Sequence, residues 1–241
     1  MSGAAALVTD TAMVMAAGMG KRMRPLTATT PKPMVRVAGK PLIDHALDRL
    51  AEAGVTRTVV NVHYLADALE AHVTGRVMPR VTISDERSEL LETGGGLIKA
   101  RALLPDPFFC LNADNIWIDG PGNAFAELSA RWDPARMDAL LLVVSHARAA
   151  NFDGPGDFHM DPLGQISRRH GGRIAPFIYT GIQLVSQRLL RDAPAGKFST
   201  NILWNRAIEE GRLYGVPFTG LWFEVGTPQA IAPTEYALRN G

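Results

Sequence analysis

The residues best suited to chemistry stand close together near the start of the chain. Gly18 and Gly20 follow a short apolar run, 13–16, that is predicted as a buried strand. Glycines at this point can turn the backbone sharply and bring main-chain N–H groups close to a ligand. Three cations follow directly, namely Lys21, Arg22 and Arg24. Because N–H donors and positive charge converge there, the stretch favours the binding of a polyphosphate.

A fourth cation, Lys32, stands between two prolines that restrict the backbone on either side of it. Two common phosphate-binding motifs do not fit the region. A Rossmann fingerprint needs a third glycine where Met23 stands, and the Gly-Lys-Ser/Thr of a Walker A loop is absent. For the glycines taken alone, an ordinary strand-to-loop turn remains an alternative.

Three spaced segments, taken in order, resemble the signature of the sugar-phosphate nucleotidyltransferases. They are GMGKRMRPLT at 18–27, PKPM at 31–34 and GKP at 39–41. The resemblance implies a Rossmann-like nucleotidyltransferase fold whose first loop holds the phosphates of a nucleoside triphosphate. Lys32 and Arg22 would then be catalytic cations. The implied nucleotide-binding residues of this region are Ala16, Ala17, Gly18, Gly20, Lys21, Arg22, Arg24 and Lys32.

A carboxylate that could hold a metal, Asp114, stands just past the apolar segment 108–112. In an open α/β sheet, ligands bind at the carboxyl ends of strands, and a carboxylate beside a polyphosphate is a suitable ligand for Mg²⁺. From the residues alone, a turn aspartate is an equal alternative. The resemblance implies that Asp114 is a catalytic Mg²⁺ ligand. It also implies that Glu224, in WFEVGTP at 222–228, takes the place of the family's usual aspartate as the second metal ligand, directly or through a water. From the residues alone, a surface glutamate in a strand is the alternative.

A second glycine-rich segment, ETGGGL at 92–97, is predicted as a loop that enters a helix at Gly96. From the residues alone it can be a flexible loop in which Thr93 caps the helix. The resemblance implies a different role, a backbone platform for the base and ribose. It extends the nucleotide-binding set to Thr93, Gly94 and Asn112.

The resemblance also implies a sugar pocket, whose segments GDF at 156–158 and YTGI at 179–182 are similar to those of the family. Asn151 and Asn201 are further polar candidates for sugar hydroxyls or an N-acetyl group. The predicted sugar-binding residues are Asn151, Gly156, Asp157, Thr180, Gly181 and Asn201. The lysine that usually holds the sugar phosphate has no visible counterpart, and Arg168, Arg169 or Arg173 could supply its charge.

The elements that must position these residues alternate along the first half of the chain. Helices are predicted at 41–53, 65–73, 96–104, 124–130, 200–210 and 228–238, and strands at 13–16, 58–62, 81–84, 108–112, 139–145, 177–185, 213–216 and 222–225. This alternation predicts an α/β fold with a doubly wound, mixed but mainly parallel sheet. A hairpin over 157–168 would belong to a β-rich sugar-binding insertion over the carboxyl edge of that sheet.

Composition limits the function classes that need to be considered. The formal net charge of the 241 residues is +1, which argues against a nucleic-acid or membrane partner. The single Cys110 excludes an internal disulfide and a cysteine-only metal cluster. No segment resembles a signal peptide or a membrane span, so a cytoplasmic protein is expected. We expect one domain over 1–241 with a disordered tail at 1–10, forming a monomer or weak homodimer.

The function expected from the resemblance is Mg²⁺-dependent transfer of a nucleotidyl group from a nucleoside triphosphate to a sugar 1-phosphate. The short length and the segments KRMRPLT at 21–27, NVHY at 61–64 and GDF look most like the N-acetylmuramate 1-phosphate uridylyltransferases of peptidoglycan recycling. Alternatives are mannose, heptose or glucose 1-phosphates with other nucleotides, or a non-catalytic nucleotide-sugar binding subunit. A glycosyltransferase is less favoured, because it would not need PKP beside the phosphate loop.

Overall fold

The computed structural model describes residues 6–240. Its strands are β1 Thr11–Met15, β2 Arg36–Val37, β3 Lys40–Pro41, β4 Arg57–Val62, β5 Arg80–Asp85, β6 Phe108–Asn112, β7 Asn115–Ile118, β8 Ala139–Ser145, β9 Ala149–Ala150, β10 Phe158–Met160, β11 Ile166–Arg168, β12 Phe177–Val185, β13 Leu213–Pro217 and β14 Leu221–Glu224. Its α-helices are α1 Leu42–Ala53, α2 Ala66–Val73, α3 Glu92–Ala100, α4 Ala124–Arg131, α5 Asn201–Glu209 and α6 Ile231–Asn240.

A mixed sheet of nine strands runs through the centre of the described residues, in the order β11-β10-β12-β6-β1-β4-β5, with β8 and then β13 added beside β12. Its middle is parallel, because β1 pairs in parallel with both β4 and β6, and β4 with β5. Strand β12 is antiparallel to its neighbours β6 and β8. The predicted mixed, mainly parallel α/β sheet is confirmed.

The central strands are buried on both faces, as their apolar sequences predict. Along β1, Ala12 and Val14 belong to one core cluster, whereas Met13 belongs to the other. Because successive side chains of a strand point to opposite faces, this alternation places a hydrophobic layer on each side of the sheet. Helix α1 covers one face with Ile43, Leu47 and Leu50.

A separate small sheet, in the order β7-β14-β9, brings the end of the chain beside the loop after β6. In it, Glu224 lies opposite Asn115 in the antiparallel pair of β14 with β7. The predicted hairpin is present as β10 and β11, which pair from Phe158–Arg168 to Met160–Ile166. This hairpin continues the main sheet, because Phe158 of β10 pairs with Phe177 at the start of β12.

Two local expectations differ from the structure. The predicted tail at 1–10 lies outside the described residues for 1–5. Its later part is packed, since Leu7 contacts the core and the Asp10 carboxylate accepts hydrogen bonds from Arg57 and Thr56 at 2.8 and 2.7 Å. Helix α3 begins four residues before the predicted start at Gly96, so the second glycine-rich segment is helical.

Within residues 6–240, none of the helices combines the length and the apolar character needed to span a bilayer.

Candidate active site

A cleft of about 400 Å³ opens at the carboxyl ends of β1 and β6. The two strands are in parallel register, with Met15 opposite Asn112, and the Ala113 N–H donates to the Met15 carbonyl at 3.1 Å. The loops that leave these strands must therefore begin side by side. Seven of the predicted site residues line the cleft, namely Ala16, Ala17, Gly18, Lys32, Thr93, Asn112 and Asp114.

The loop after β1 folds into short 3₁₀ turns that bring Lys32 back over its glycines. Gly20 has φ 59°, a left-handed conformation, and a Cβ added there would stand 2.8 Å from Cβ of Lys32. The Thr27 hydroxyl donates to the Gly20 carbonyl at 2.9 Å, and the Tyr64 hydroxyl donates to the Thr27 carbonyl at 2.9 Å. Glycine at position 20 thus permits both the turn and the close approach of Lys32.

The ammonium of Lys32 and the carboxylate of Asp114 form an ion pair in the cleft. Nζ of Lys32 donates to Oδ2 of Asp114 at 2.5 Å, and the two side chains are 12% and 27% exposed. These residues are 82 positions apart in the sequence. The parallel pair of β1 with β6 brings them together, so the cation that was predicted to face a phosphate adjoins the predicted metal ligand.

A second ion pair joins the loop after β1 to β14, and a backbone hydrogen bond joins the Asp114 loop to the residue that follows β14. Nη2 of Arg22 donates to Oε1 of Glu224 at 3.1 Å. The N–H of Val225, the next residue after Glu224, donates to the Asp114 carbonyl at 3.2 Å. The predicted metal ligands Asp114 and Glu224 therefore stand on neighbouring chain segments.

The donor set at this position suits Mg²⁺, the ion that the family resemblance implies. Mg²⁺ is commonly held by one or two carboxylates together with substrate phosphates and water. Asp114 and Glu224 supply two carboxylates beside a phosphate-type loop, and no group of three His, Cys, Asp or Glu side chains suited to a metal occurs within residues 6–240. The residues fit an ion that is shared with a bound phosphate.

The second glycine-rich segment does not form the predicted backbone platform. The N–H groups of Gly94 and Gly95 both donate to the Phe198 carbonyl, at 2.9 and 3.2 Å. Thr93 is not the helix cap, and its hydroxyl accepts from the Thr200 N–H at 2.9 Å. These glycines are buried under the segment before α5, so their amides are not available to read a base.

The predicted cations Lys21 and Arg24 are exposed and do not line the main cleft. They lie beside it in the same loop as Arg22.

A second cavity, of about 230 Å³, adjoins the main cleft. It includes Asn201, Tyr179, Gln183 and Trp204, and the two cavities share Met15, Thr93, Asn112 and Ser199. Of the predicted sugar-binding residues, Asn201 lines this second cavity. Gly181, with φ 81°, adjoins it, since a Cβ added there would overlap Nδ2 of Asn115 and stand 3.0 Å from Nδ2 of Asn112.

The other predicted sugar-binding residues have structural contacts instead. Thr180 is 0% exposed and its hydroxyl donates to the Leu142 carbonyl at 2.8 Å. The Asn151 amide donates to the Thr234 hydroxyl at 3.2 Å, and the Asp157 carboxylate accepts from the Tyr179 N–H at 2.9 Å.

Gly156 is packed so closely that an added Cβ would stand 2.2 Å from the Ala175 carbonyl oxygen. The structure therefore does not support a ligand role for Thr180, Asn151 or Gly156, because each is already used to join strands, turns or helices.

Sequence reasoning missed a buried polar chain under the main cleft. Oδ1 of Asn61 accepts from the Ala16 N–H at 2.6 Å, and its Nδ2 donates to Oε1 of Glu86 at 2.8 Å. Glu86 is 0% exposed, and its other oxygen accepts from the Leu91 N–H at 3.3 Å. This series of buried hydrogen bonds fixes the backbone at the end of β1, where the glycine-containing loop begins. Asn61 is the last but one residue of the mainly apolar strand β4, but no nearby sequence signal points to Glu86.

Comparison with known proteins agrees with this geometry. The sequence profile of the family described as Nucleotidyl transferase matches residues 11–153, more than half of the chain. The chain belongs to the nucleotidyl transferase family. The resemblance deduced from the three motifs is thereby confirmed, and the matched range contains Lys32 and Asp114.

Two relatives within the nucleotidyl transferase family are similar over nearly their whole length. N-acetylmuramate alpha-1-phosphate uridylyltransferase of Caulobacter vibrioides is 47% identical over 232 residues, which are 94% of this chain and 96% of that protein. The enzyme of the same name from Neisseria meningitidis serogroup B is 35% identical over 90% of this chain and 93% of that protein.

A solved structure shows the same fold. The inositol-1-phosphate CTP transferase from T. maritima is similar with a TM-score of 0.79 and 19% identity, over 100% of this chain and 97% of that one.

Proposed function

We propose that this nucleotidyl transferase is an N-acetylmuramate α-1-phosphate uridylyltransferase. It would transfer a uridylyl group from UTP to N-acetylmuramic acid 1-phosphate, giving UDP-N-acetylmuramic acid and pyrophosphate. The observation that carries the reaction class is the Lys32–Asp114 ion pair at the junction of the β1 and β6 loops. The two relatives that carry this name, at 47% and 35% identity, support the choice of substrates.

The bond changes of this reaction are simple. A phosphate oxygen of the sugar 1-phosphate attacks the α-phosphorus of UTP and forms a new P–O bond. The bond from that phosphorus to the oxygen bridging to the β-phosphate breaks, and pyrophosphate leaves with the electron pair. The attacking phosphomonoester is largely a dianion at neutral pH, since its second pKa is about 6. A general base is therefore not required.

The difficulty that the protein must overcome is the meeting of two anions. Positioning and positive charge lower this barrier in phosphoryl transfer generally. Lys32, which is mostly buried, would neutralise the α-phosphate as it is attacked. Arg22, which is 66% exposed in its pair with Glu224, would turn towards the β- and γ-phosphates that leave, with Lys21 and Arg24 beside it.

Asp114 and Glu224 would hold the Mg²⁺ ion that the family resemblance implies. When bound, the ion supplies charge neutralisation to the phosphates of both reactants. In the structure, the same carboxylates neutralise Lys32 and Arg22. They thereby hold Lys32 in the cleft and Arg22 at the surface of the adjoining loop, where the phosphates would bind.

The test is a pyrophosphate-release assay of the purified chain over a grid of UTP, CTP, GTP and TTP against the 1-phosphates of N-acetylmuramic acid, N-acetylglucosamine, mannose and glucose. We expect the highest kcat/KM for UTP with N-acetylmuramic acid 1-phosphate. A higher kcat/KM for another pair would replace these substrates, and no release with any pair would overturn the enzymatic proposal.

A further inference from the structure

The proposed sugar substrate carries a charge that related sugars lack. N-acetylmuramic acid bears a lactyl ether whose carboxylate is ionised at neutral pH, in addition to the 1-phosphate. A protein that selects this sugar benefits from a separate cation for that carboxylate. Lys32 and Arg22 are already engaged at the phosphate end of the site by Asp114 and Glu224. The inference drawn below rests on the proposed function.

Arg168, at the end of β11, is a cation held in a fixed position. Its guanidinium carbon lies 5.0 Å from the ring centre of Phe158 and 5.7 Å from that of Trp204. Its Nε donates to Oδ1 of Asn205 and its Nη2 to Oδ1 of Asn201, both at 2.8 Å. Stacking on two aromatic rings and two hydrogen bonds to helix α5 orient the planar group.

The charge of Arg168 is not neutralised by the protein. No carboxylate lies within 4.0 Å of it among residues 6–240, and its hydrogen-bond acceptors are neutral amide oxygens. Its Nη1 donates to none of the described residues. Burial lowers the pKa of Arg168, with Asp157 acting in the opposite direction, but a guanidinium stays protonated at neutral pH. A partly buried, unpaired guanidinium with free N–H groups suits a carboxylate ligand.

The partners of Arg168 place it on the sugar side of the site. Asn201, which accepts its hydrogen bond, and Trp204, on which it stacks, both line the second cavity. That cavity joins the main cleft along Met15, Asn112 and Thr93. A sugar whose phosphate lies near Lys32 would extend from the main cleft into the second cavity, towards Arg168.

We propose that Arg168 binds the lactyl carboxylate of N-acetylmuramic acid 1-phosphate and determines the preference for this acidic sugar. The guanidinium would donate through its free N–H groups while Asn201 and Asn205 keep it in place. Arg168 is then a specificity-determining residue for one substrate and has no part in the transfer of the nucleotidyl group.

The test compares two sugar phosphates that differ only in the lactyl group. Wild type, Arg168→Ala and Arg168→Lys are assayed by pyrophosphate release with UTP and N-acetylmuramic acid 1-phosphate. N-acetylglucosamine 1-phosphate, which has the same phosphate but no carboxylate, is measured through its inhibition constant in the same assay. Arg136→Ala is the matched control, because Arg136 stacks over Tyr214 at 5.3 Å and donates to its hydroxyl at 3.2 Å. Thermal unfolding checks each variant's fold.

We expect Arg168→Ala to raise KM for N-acetylmuramic acid 1-phosphate by about 10- to 100-fold, because a charge-assisted hydrogen bond to the substrate would be lost. The kcat should change little. Arg168→Lys should keep part of the affinity, and the inhibition constant of N-acetylglucosamine 1-phosphate should not move. An equal loss for both sugars would assign Arg168 to the phosphate or to the fold and overturn the proposal, as would no loss at all. A wild type that does not turn over N-acetylmuramic acid 1-phosphate would instead overturn the proposed function.

Discussion

At the scale of single residues, the Lys32–Asp114 pair makes the strongest prediction about activity. We expect Lys32→Ala and Asp114→Asn each to lower kcat for pyrophosphate release by about 10²- to 10³-fold, because each would remove preorganised charge from the proposed position of the reacting phosphate. Both side chains lie in a cleft and are partly exposed, so thermal unfolding should change little. The matched control is Lys99→Ala, which removes an exposed lysine on α3. Release near the wild-type rate in either site variant would remove that residue from the catalytic set.

Glu224 makes a separate prediction about the metal. Chelation of divalent ions should abolish pyrophosphate release, and added Mg²⁺ should restore it. If Glu224 is a metal ligand as proposed, Glu224→Ala should raise the Mg²⁺ concentration that gives half-maximal activity, because one of the two proposed carboxylate ligands would be lost. Glu224→Asp keeps the carboxylate and should retain activity. A Mg²⁺ titration of Glu224→Ala that overlays the wild-type curve would show that Glu224 is not a ligand.

Thr180 was predicted to bind the sugar, but its contacts in the structure indicate a structural role. Its hydroxyl is fully buried and donates to the Leu142 carbonyl at 2.8 Å, so it joins β12 to β8. We expect Thr180→Val to lower the free energy of unfolding by about 1–3 kcal/mol, because the buried carbonyl loses its partner. Chemical denaturation measures this loss. The KM for the sugar phosphate should be unaltered, and a large rise in KM at unchanged stability would restore Thr180 to the sugar site.

At the scale of secondary-structure elements, helix α3 shows where sequence reasoning failed. Three successive glycines, 94–96, indicate a loop because glycine is a poor helix former. The structure holds them in a helix by tertiary contact, since a Cβ added to Gly94 would stand 2.3 Å from the Phe198 ring and one added to Gly95 would stand 2.4 Å from the Gly196 carbonyl oxygen. The glycines permit two segments to pack closely, and this need is not visible in local sequence.

This packing yields a prediction for the helix. Gly94→Ala should lower the free energy of unfolding by about 1–3 kcal/mol through overpacking. It should also raise KM for the nucleotide, because Thr93 and Ser199 at the cleft wall would be displaced. The control is Gly75→Ala, where an added Cβ meets nothing within 4 Å. The unfolding midpoint and the nucleotide KM are measured for both variants. Equal stability of Gly94→Ala and Gly75→Ala would contradict the predicted overpacking.

Other elements were predictable because their pattern is purely local. Strands 139–145 and 177–185 were predicted with the bounds that the structure gives, since the first is a nearly continuous apolar run and the second is mostly apolar. Strand β7 was not predicted. It follows directly after the Asp114 turn and is stabilised by pairing with β14, more than a hundred residues later. Local pattern could therefore place Asp114 at a strand end, but it could not show that Glu224 lies beside it.

At the scale of the whole molecule, one end of the main sheet carries the cleft, and the opposite end carries a buried ion-pair cluster. The cleft lies at the carboxyl ends of β1 and β6. At the opposite end, just before β8, the buried carboxylate of Asp138 accepts from Nε of Arg188 and from Nε of Arg212, both at 2.6 Å. The Asp138 carbonyl also accepts from the Ser186 N–H at 2.9 Å, so the cluster joins β8 to the segment after β12.

We expect Asp138→Asn to destabilise the protein without harming catalysis. Removing a buried carboxylate that neutralises two guanidinium groups should lower the free energy of unfolding by about 3 kcal/mol. The kcat/KM measured well below the unfolding temperature should stay at the wild-type value, because the cluster is remote from the cleft. Asp192→Asn, an exposed carboxylate in the same surface region, is the matched control. A lower kcat/KM for Asp138→Asn, measured where the variant is fully folded, would show that the Asp138 cluster and the cleft are coupled.

The Arg22–Glu224 ion pair has a consequence for the order of events during synthesis. Its two residues are 202 positions apart. A ribosome that adds about 5–20 residues per second would make Glu224 about 10–40 s after Arg22. Through that interval the loop after β1 lacks β14, the strand whose Glu224 carboxylate pairs with Arg22. The nascent chain therefore gains the four charges of the two ion pairs, Lys32–Asp114 and Arg22–Glu224, only after Glu224 has left the ribosome.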